Sequence, residues 1–309
     1  MPSRLWLRTS SAKKTDAMAE RVTNSPGDHV GDADGYIPYD KRRLSYANTF
    51  PHTGKRAVIR AMEWMTRKVR LLRLIRRFES EGVETGQAFW PHALGVMGIT
   101  LETPDEEIRR IPASGPVIIV ANHPHGLVDG MVLAELIGRV RTDYKILTRS
   151  LLTGIPEIEQ FMIPVPFPHE DDAIAKSLEM RKTAMAHLAA GGVVVLFPSG
   201  VVASSETWWG GAIEREWNPF TAKMVVKSGA SVVPIRFPGA NSRAYQIADK
   251  VSATLRQGLL LHEVVHALNR AQRPHVGHPF APDEISARKA APRDLMDWMR
   301  AETLALGLR

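Results

Sequence analysis

The residues best equipped for chemistry crowd into one short stretch. From Gly115 to Gly130 the chain reads GPVIIVANHPHGLVDG, so Asn122, His123, His125 and Asp129 follow directly on an apolar run. Histidine is the usual general base near neutral pH, and a neighbouring carboxylate fixes its tautomer and stabilises the imidazolium it becomes. Such a pair can take the proton of a hydroxyl and turn the oxygen into a nucleophile. Two pairings fit the spacing, His123 with Asp129 and His125 with Asp129. A lone histidine more often only ends a strand or satisfies a backbone group, but four polar groups at one strand end favour catalysis.

A second constellation points elsewhere. His262-Glu263-Val264-Val265-His266 matches the pattern in which two histidines four apart on a helix bind zinc and the glutamate polarises water. The usual continuations fail, because Asn269 stands where a glycine is needed and Gln272 where a third histidine is needed. Glu284 is available as a distant carboxylate ligand, yet no second motif singles it out. A zinc hydrolase is therefore the alternative reading, and no metal site is expected. There is no cysteine, which excludes disulfides, thiolate metal sites and a cysteine nucleophile together. No glycine-rich phosphate loop is present, which argues against NAD and ATP enzymes.

Elements that would position these groups can be read from apolar patterning. Unbroken apolar runs at residues 117–121 and 193–197 suit strands covered on both faces. Further strands are expected at 98–102, 144–148, 163–166, 231–236 and 274–278, with helices at 130–139, 171–190, 219–228, 255–270 and 282–306. Strand and helix alternate, which predicts an α/β domain with a central, mostly parallel sheet flanked by helices. In such sheets functional groups gather at the carboxyl ends of strands, where Asn122, His123 and His125 fall.

Residues 1–50 are rich in Ser, Asp, Gly, Asn and Pro and read as a mostly irregular leader. Between Lys55 and Phe78, Val58, Met62, Met65, Val69, Leu72 and Ile75 recur at helical spacing among nine Lys and Arg residues, a basic amphipathic helix within a segment 51–82. It suits either an anionic bilayer surface or packing on the core. A domain over 83–282 and a C-terminal helix over 283–309 complete the expected organisation. The start lacks the apolar stretch of a secretory signal, and no run approaches the roughly 18 apolar residues of a membrane span. The expected location is cytoplasmic and peripheral, on the inner face of the cytoplasmic membrane. Hydrophobic residues at 44% permit a sizeable core, and a net charge of +7 favours an anionic partner. No nucleic-acid signature accompanies that charge, although a non-catalytic binder of anionic surfaces remains a reading.

Asn122 to Gly130, Asn-His-Pro-x-Gly-x-x-Asp-Gly, resembles the motif of the glycerolipid acyltransferase superfamily, in the variant of its hemolysin-like and ornithine-lipid acyltransferase branch. The commoner pattern holds histidine and aspartate one residue closer. The resemblance extends from about Val83 to Pro282. Lys145-Ile-Leu-Thr-Arg149 with Gly154-Ile-Pro is similar to the second block, Val195-Leu-Phe-Pro-Ser-Gly200 to the third, Val233-Pro-Ile235 to the fourth, and Gly239-Ala-Asn-Ser242 fits the branch. It implies that His123 and Asp129 form the catalytic dyad. By the same resemblance Asn122, His125, Arg149, Pro198, Ser199, Gly200 and Asn241 line the substrate site, with Arg149 facing phosphate and donors near 198–200 facing the oxyanion. It further implies transfer from acyl carrier protein or acyl-CoA, as co-substrate without another cofactor, to a lysolipid hydroxyl at an anionic membrane surface. One departure stands out: the glutamate usual beside the third-block glycine is absent, with Ser199 and Val201 flanking Gly200. Glu206 and Glu214 are the candidates to replace it.

Overall fold

The computed structural model describes residues 57, 68–149, 155–167, 170, 172–252, 256 and 259–308. The expected leader and most of the first half of the amphipathic stretch lie outside these residues. So do Gly154 of the second block and residues 255, 257 and 258.

The described chain begins with α1 (Lys68–Ser80) and α2 (Phe89–Val96), then the short β1 (Thr100–Leu101) and the one-turn α3 (Asp105–Ile108). In α1 Phe78 is buried edge-on against Phe89, while Arg70, Arg73, Arg76 and Arg77 are exposed. There follow β2 (Val117–Ala121), α4 (Leu127–Gly138), β3 (Tyr144–Arg149), β4 (Met162–Val165), α5 (Ala173–Ala189) and β5 (Val193–Leu196). A small hairpin, β6 (Ser204–Ser205) and β7 (Ala212–Ile213), precedes α6 (Pro219–Ser228) and β8 (Ser231–Arg236). The remainder comprises α7 (Arg243–Val251), α8 (Leu260–Ala267), β9 (Ala271–Gln272), β10 (His275–Val276), α9 (Pro282–Arg288) and α10 (Pro292–Ala305).

Six strands form the main sheet in the order β10-β8-β2-β5-β3-β4, parallel throughout except that β10 runs antiparallel to β8. This is the α/β architecture that the alternation predicts. All five residues of β2 have no solvent exposure, as do Val193, Val194 and Val195 of β5, so both strands are covered on each face. Ile118, Val120, Val194 and Val232 pack with Ala184 and Leu188 of α5, Met224 and Val225 of α6, and Leu295, Met296 and Met299 of α10. α4 buries Val128, Val132, Leu133, Leu136 and Ile137 completely. The first turn of that helix is thereby held rigid at the mouth of β2.

β2 is flanked by β5 on one side and β8 on the other, both entered later in the chain. The connections leaving these strands must part at their carboxyl ends, which opens a crevice there. Three segments meet at it: residues 122–126 after β2, 197–203 after β5 and 237–242 after β8.

Three expectations need correction in detail. The strand expected at 98–102 shrinks to two residues and pairs with β9 in a separate ribbon. The helix expected over 282–306 is broken into α9 and α10, because Pro292 excludes helical backbone at Ala291, which sits at φ −119 and ψ 87. The hairpin and α7 were not expected. α7 opens on Ser242, whose side chain accepts the Tyr245 amide at 3.3 Å.

Candidate active site

Asn122 is the first residue past β2, and its side chain closes a two-point bond to the end of β8. Nδ2 donates to Phe237 O at 2.9 Å, and Phe237 N donates to Oδ1 at 2.7 Å. A carboxamide reproduces the donor and acceptor of a peptide edge, so asparagine fits here where aspartate would not. The two strand ends are thus locked together, and the residue that follows starts from a fixed point.

From there the chain turns sharply into α4. Gly126 takes φ 74 and ψ −125, a backbone region a side chain would strain. The turn lays both histidines around Asp129. His123 Nδ1 lies 3.0 Å from Asp129 Oδ2 and His125 Nδ1 lies 2.9 Å from Oδ1. The backbone amides of His125 and Gly126 also donate to Oδ2, at 2.8 and 3.1 Å. Asp129 is fully buried and sits in the first turn of α4, where the helix dipole favours negative charge. Burial alone would raise its pKa, yet the charge of His125 and the hydrogen bonds from both rings hold it below the ordinary carboxylate value. A carboxylate only accepts, so both rings present Nδ1–H to it, and in the neutral form of either ring the lone pair is on Nε2.

The two rings differ in what Nε2 meets. His123 stacks on Phe197 with ring centroids 3.9 Å apart, remains partly open to solvent, and its Nε2 has no hydrogen bond among the described residues. His125 points its Nε2 at Gly239, close enough that a Cβ there would stand 3.0 Å away. Burial opposes charge on His125, but Asp129 outweighs it and raises the pKa above the ordinary histidine value. His123 can therefore receive a proton from a bound group, whereas His125 is wedged beside the loop after β8.

The peptide of His123 is gripped on both sides. Its N–H donates to Glu214 Oε2 at 3.1 Å, and its carbonyl accepts from Ala203 N at 2.8 Å. Glu214 Oε1 accepts from Trp217 Nε1 at 3.0 Å, and burial pushes the Glu214 carboxyl above its usual range.

Against known proteins, the family profile described as Acyltransferase matches residues 58–270. This chain belongs to that acyltransferase family. A similar curated protein is the lyso-glycine lipid O-acyltransferase of Phocaeicola vulgatus, 26% identical over 137 residues, or 44% of this chain and 46% of that protein. The match therefore spans about half the length of that relative. Among solved structures a similar chain is the 1-acyl-sn-glycerophosphate (LPA) acyltransferase PlsC of Thermotoga maritima, at 14% identity and TM-score 0.46, covering 72% of this chain and 78% of that one.

In this acyltransferase the other residues singled out in the sequence fall around the same crevice. Pro198 follows β5 and its carbonyl accepts from Asn218 N at 2.9 Å. Gly200 N donates to Phe197 O at 2.9 Å, and Pro198 has no amide hydrogen, so within 198–200 only the Ser199 amide is left to meet an oxyanion. Ser199 Oγ donates to Val201 O at 2.9 Å. Arg149, at the end of β3, reaches Gly200 O at 3.4 Å and lies over the Phe167 ring. Burial, and then the charge of Arg256, lowers its pKa, and among the described residues no carboxylate pairs with it. Asn241 is buried after β8, and among the described residues its Nδ2 has no partner. Of the two candidate glutamates, Glu206 is 61% exposed and pairs with Arg215, while Glu214 supports the His123 peptide. Glu214 was named only as one of two candidates for the missing glutamate, and its contact with the His123 amide was not foreseen. Its signals were the missing third-block glutamate and a tryptophan three residues on.

The HEVVH segment has another role. Glu263 is buried, and both oxygens accept from Ser242, Oε2 from the amide at 2.8 Å and Oε1 from the hydroxyl at 2.6 Å. A carboxylate committed to capping α7 does not fit a zinc-water base. Among the described residues no three His, Asp or Glu side chains gather as metal ligands.

Proposed function

We propose that this acyltransferase moves a fatty acyl group from a thioester, on acyl carrier protein or coenzyme A, to the hydroxyl of a lysolipid. The observation that carries this is a histidine held by a buried carboxylate, with its second nitrogen unengaged among the described residues, at the point where the sheet opens. His123 Nε2 takes the proton of the acceptor hydroxyl as the oxygen attacks the thioester carbonyl. A carbon–oxygen bond forms, and the carbon–sulfur bond breaks as the tetrahedral intermediate collapses. The proton on His123 then passes to the departing sulfur, giving ester and free thiol. Asp129 stays ionised and stabilises the imidazolium between these steps. The Ser199 amide offers an oxyanion donor. Arg149, charged and without a carboxylate partner among the described residues, receives the anionic group of the acceptor.

The acceptor lies in a membrane, so the enzyme works at the anionic inner face of the cytoplasmic membrane as a peripheral protein. Among the described residues no helix is long and apolar enough to cross a membrane. The named activity of the Phocaeicola vulgatus relative supports an amino-acid lysolipid, such as lyso-glycine or lyso-ornithine lipid, ahead of a lysophospholipid. The test is transfer of labelled acyl groups from acyl carrier protein and from coenzyme A to those three acceptors, with His123→Ala beside the wild type. Ester formation that vanishes in a folded His123→Ala variant supports the reading. Absence of transfer to every acceptor, or full activity in the variant, refutes it.

A further inference from the structure

The hairpin that leaves the active site carries its largest apolar surface where water should be. Trp209 is 83% exposed and Trp208 52% exposed, at the turn between β6 and β7. Tryptophan has a large apolar body and one polar nitrogen, which suits the boundary between water and lipid. The outer face of α7 continues this surface. Arg243, Ile247 and Val251 are spaced four apart, so they share one side of the helix, and the two aliphatic residues are 38% and 57% exposed.

Hairpin and helix form one unit. Arg243 Nη1 donates to the carbonyls of Trp209 at 3.1 Å and Gly210 at 2.8 Å, and Gln246 Oε1 accepts from Ser205 N at 2.6 Å. The charge around it is cationic. Arg243 has no carboxylate partner among the described residues, Lys250 and Arg256 share the single carboxylate of Asp249, and exposed Glu206 is matched by Arg215. Exposed aromatic and aliphatic groups on a unit that carries Arg215, Arg243, Lys250 and Arg256 against Glu206, Glu216 and Asp249 complement a surface of anionic phosphates above acyl chains. A folded protein partner would need shape, but a bilayer needs only this composition.

We propose that the tip of the β6–β7 hairpin and the outer face of α7 are the lipid-facing surface, seating Trp208, Trp209, Ile247 and Val251 among the headgroups of an anionic bilayer. This rests on the reading that the acceptor is a membrane lipid, and it deepens that reading by fixing how the active site meets the membrane. The two residues that grip the His123 peptide, Ala203 and Glu214, are the two ends of the hairpin. Four residues lie between Ala203 and Trp208, two in strand and two in the bend, so the tip stands at most roughly 17 Å along the chain from the clasp. With the tip in the headgroups, the hairpin holds His123 within that chain length of the bilayer surface.

The test uses the full chain and two double variants, Trp208→Ser with Trp209→Ser and Ile247→Ser with Val251→Ser, each checked for folding by near-UV circular dichroism. Binding is measured by sedimentation with phosphatidylcholine vesicles, with and without phosphatidylglycerol. Transfer is measured on a long-chain lysolipid embedded in the vesicles and on a short-chain, water-dispersed analogue. The expected result is about tenfold weaker binding to anionic vesicles and a matching loss of transfer to the embedded acceptor, with the dispersed acceptor served as before. Unchanged vesicle binding in both folded variants overturns the proposal. Equal loss on embedded and dispersed acceptors also overturns it and assigns the surface to the thioester carrier. If wild type binds vesicles through these residues but acylates no lysolipid, the surface stands and the acceptor reading fails.

Discussion

Replacing Asp129 by asparagine isolates the contribution of one charge. The carboxylate accepts four N–H groups, from two rings and two backbone amides, and has no solvent contact. Asparagine keeps the size and one carbonyl acceptor, and its amide can donate to His125 Nδ1 if that ring changes tautomer, so the turn has a way to survive. What it cannot do is stabilise a positive His123 during proton transfer. Opposite charges about 4 Å apart attract by roughly 4 kcal/mol at an effective dielectric near 20. At about 1.4 kcal/mol per tenfold in rate, Asp129→Asn should lower kcat/KM by about a thousandfold. Initial rates of labelled acyl transfer measure this, beside near-UV circular dichroism to establish folding. His123→Ala should cost at least as much, and the double variant little more, because the two residues act as a unit. A folded Asp129→Asn enzyme within tenfold of wild type would refute the dyad. Asp129→Ala is the poorer probe, since it strands buried donors at about 1–3 kcal/mol each.

Four other outcomes, at three residues, follow from neighbouring contacts. Folding raises the pKa of His125, so its stabilising effect is complete below the ordinary histidine value near 6.5 and fades as pH climbs through the raised value. The gap in melting temperature between wild type and His125→Gln should therefore narrow from mildly acid to mildly alkaline buffer, and a constant gap would contradict the ion pair. Gly239→Ala would put a Cβ 3.0 Å from His125 Nε2 at a φ of 93, and should lower unfolding free energy by about 1–3 kcal/mol in a urea titration. Glu214→Gln offers one acceptor to the two donors His123 N–H and Trp217 Nε1, and should reduce kcat about tenfold while leaving KM for the thioester unchanged. Because folding raises the Glu214 pKa, the stability of wild type relative to the glutamine variant should fall as pH rises above the ordinary glutamate value.

The sheet and the turn after β2 were legible because their causes are local. Strands buried on both faces must be continuous apolar runs, and 117–121 and 193–197 are read at sight, the second one residue longer than the strand. Asn122, His123 and Asp129 lie within one loop and one helical turn, so their meeting needs no long-range knowledge. Glu214 is different: it reaches the His123 amide across 91 positions, and no spacing rule announces such a contact. The hairpin was equally hidden, since its strands are two residues each and depend on Gln246 for support. α7 left a fainter trace in Ser242, a good helix cap, but the dominant feature downstream was HEVVH. That motif misleads because its glutamate serves Ser242, a partner visible only in three dimensions.

The ten residues from Ser204 to Ile213 leave the site and return to it between two fixed clasps on the same peptide bond pair. Such an arrangement separates reach from reactivity. The loop can be lengthened, shortened or re-dressed at its far end without shifting the imidazole at its base. Grafting turns from related enzymes onto these two clasps should exchange substrate access while preserving proton chemistry, which makes this segment the natural joint for engineering.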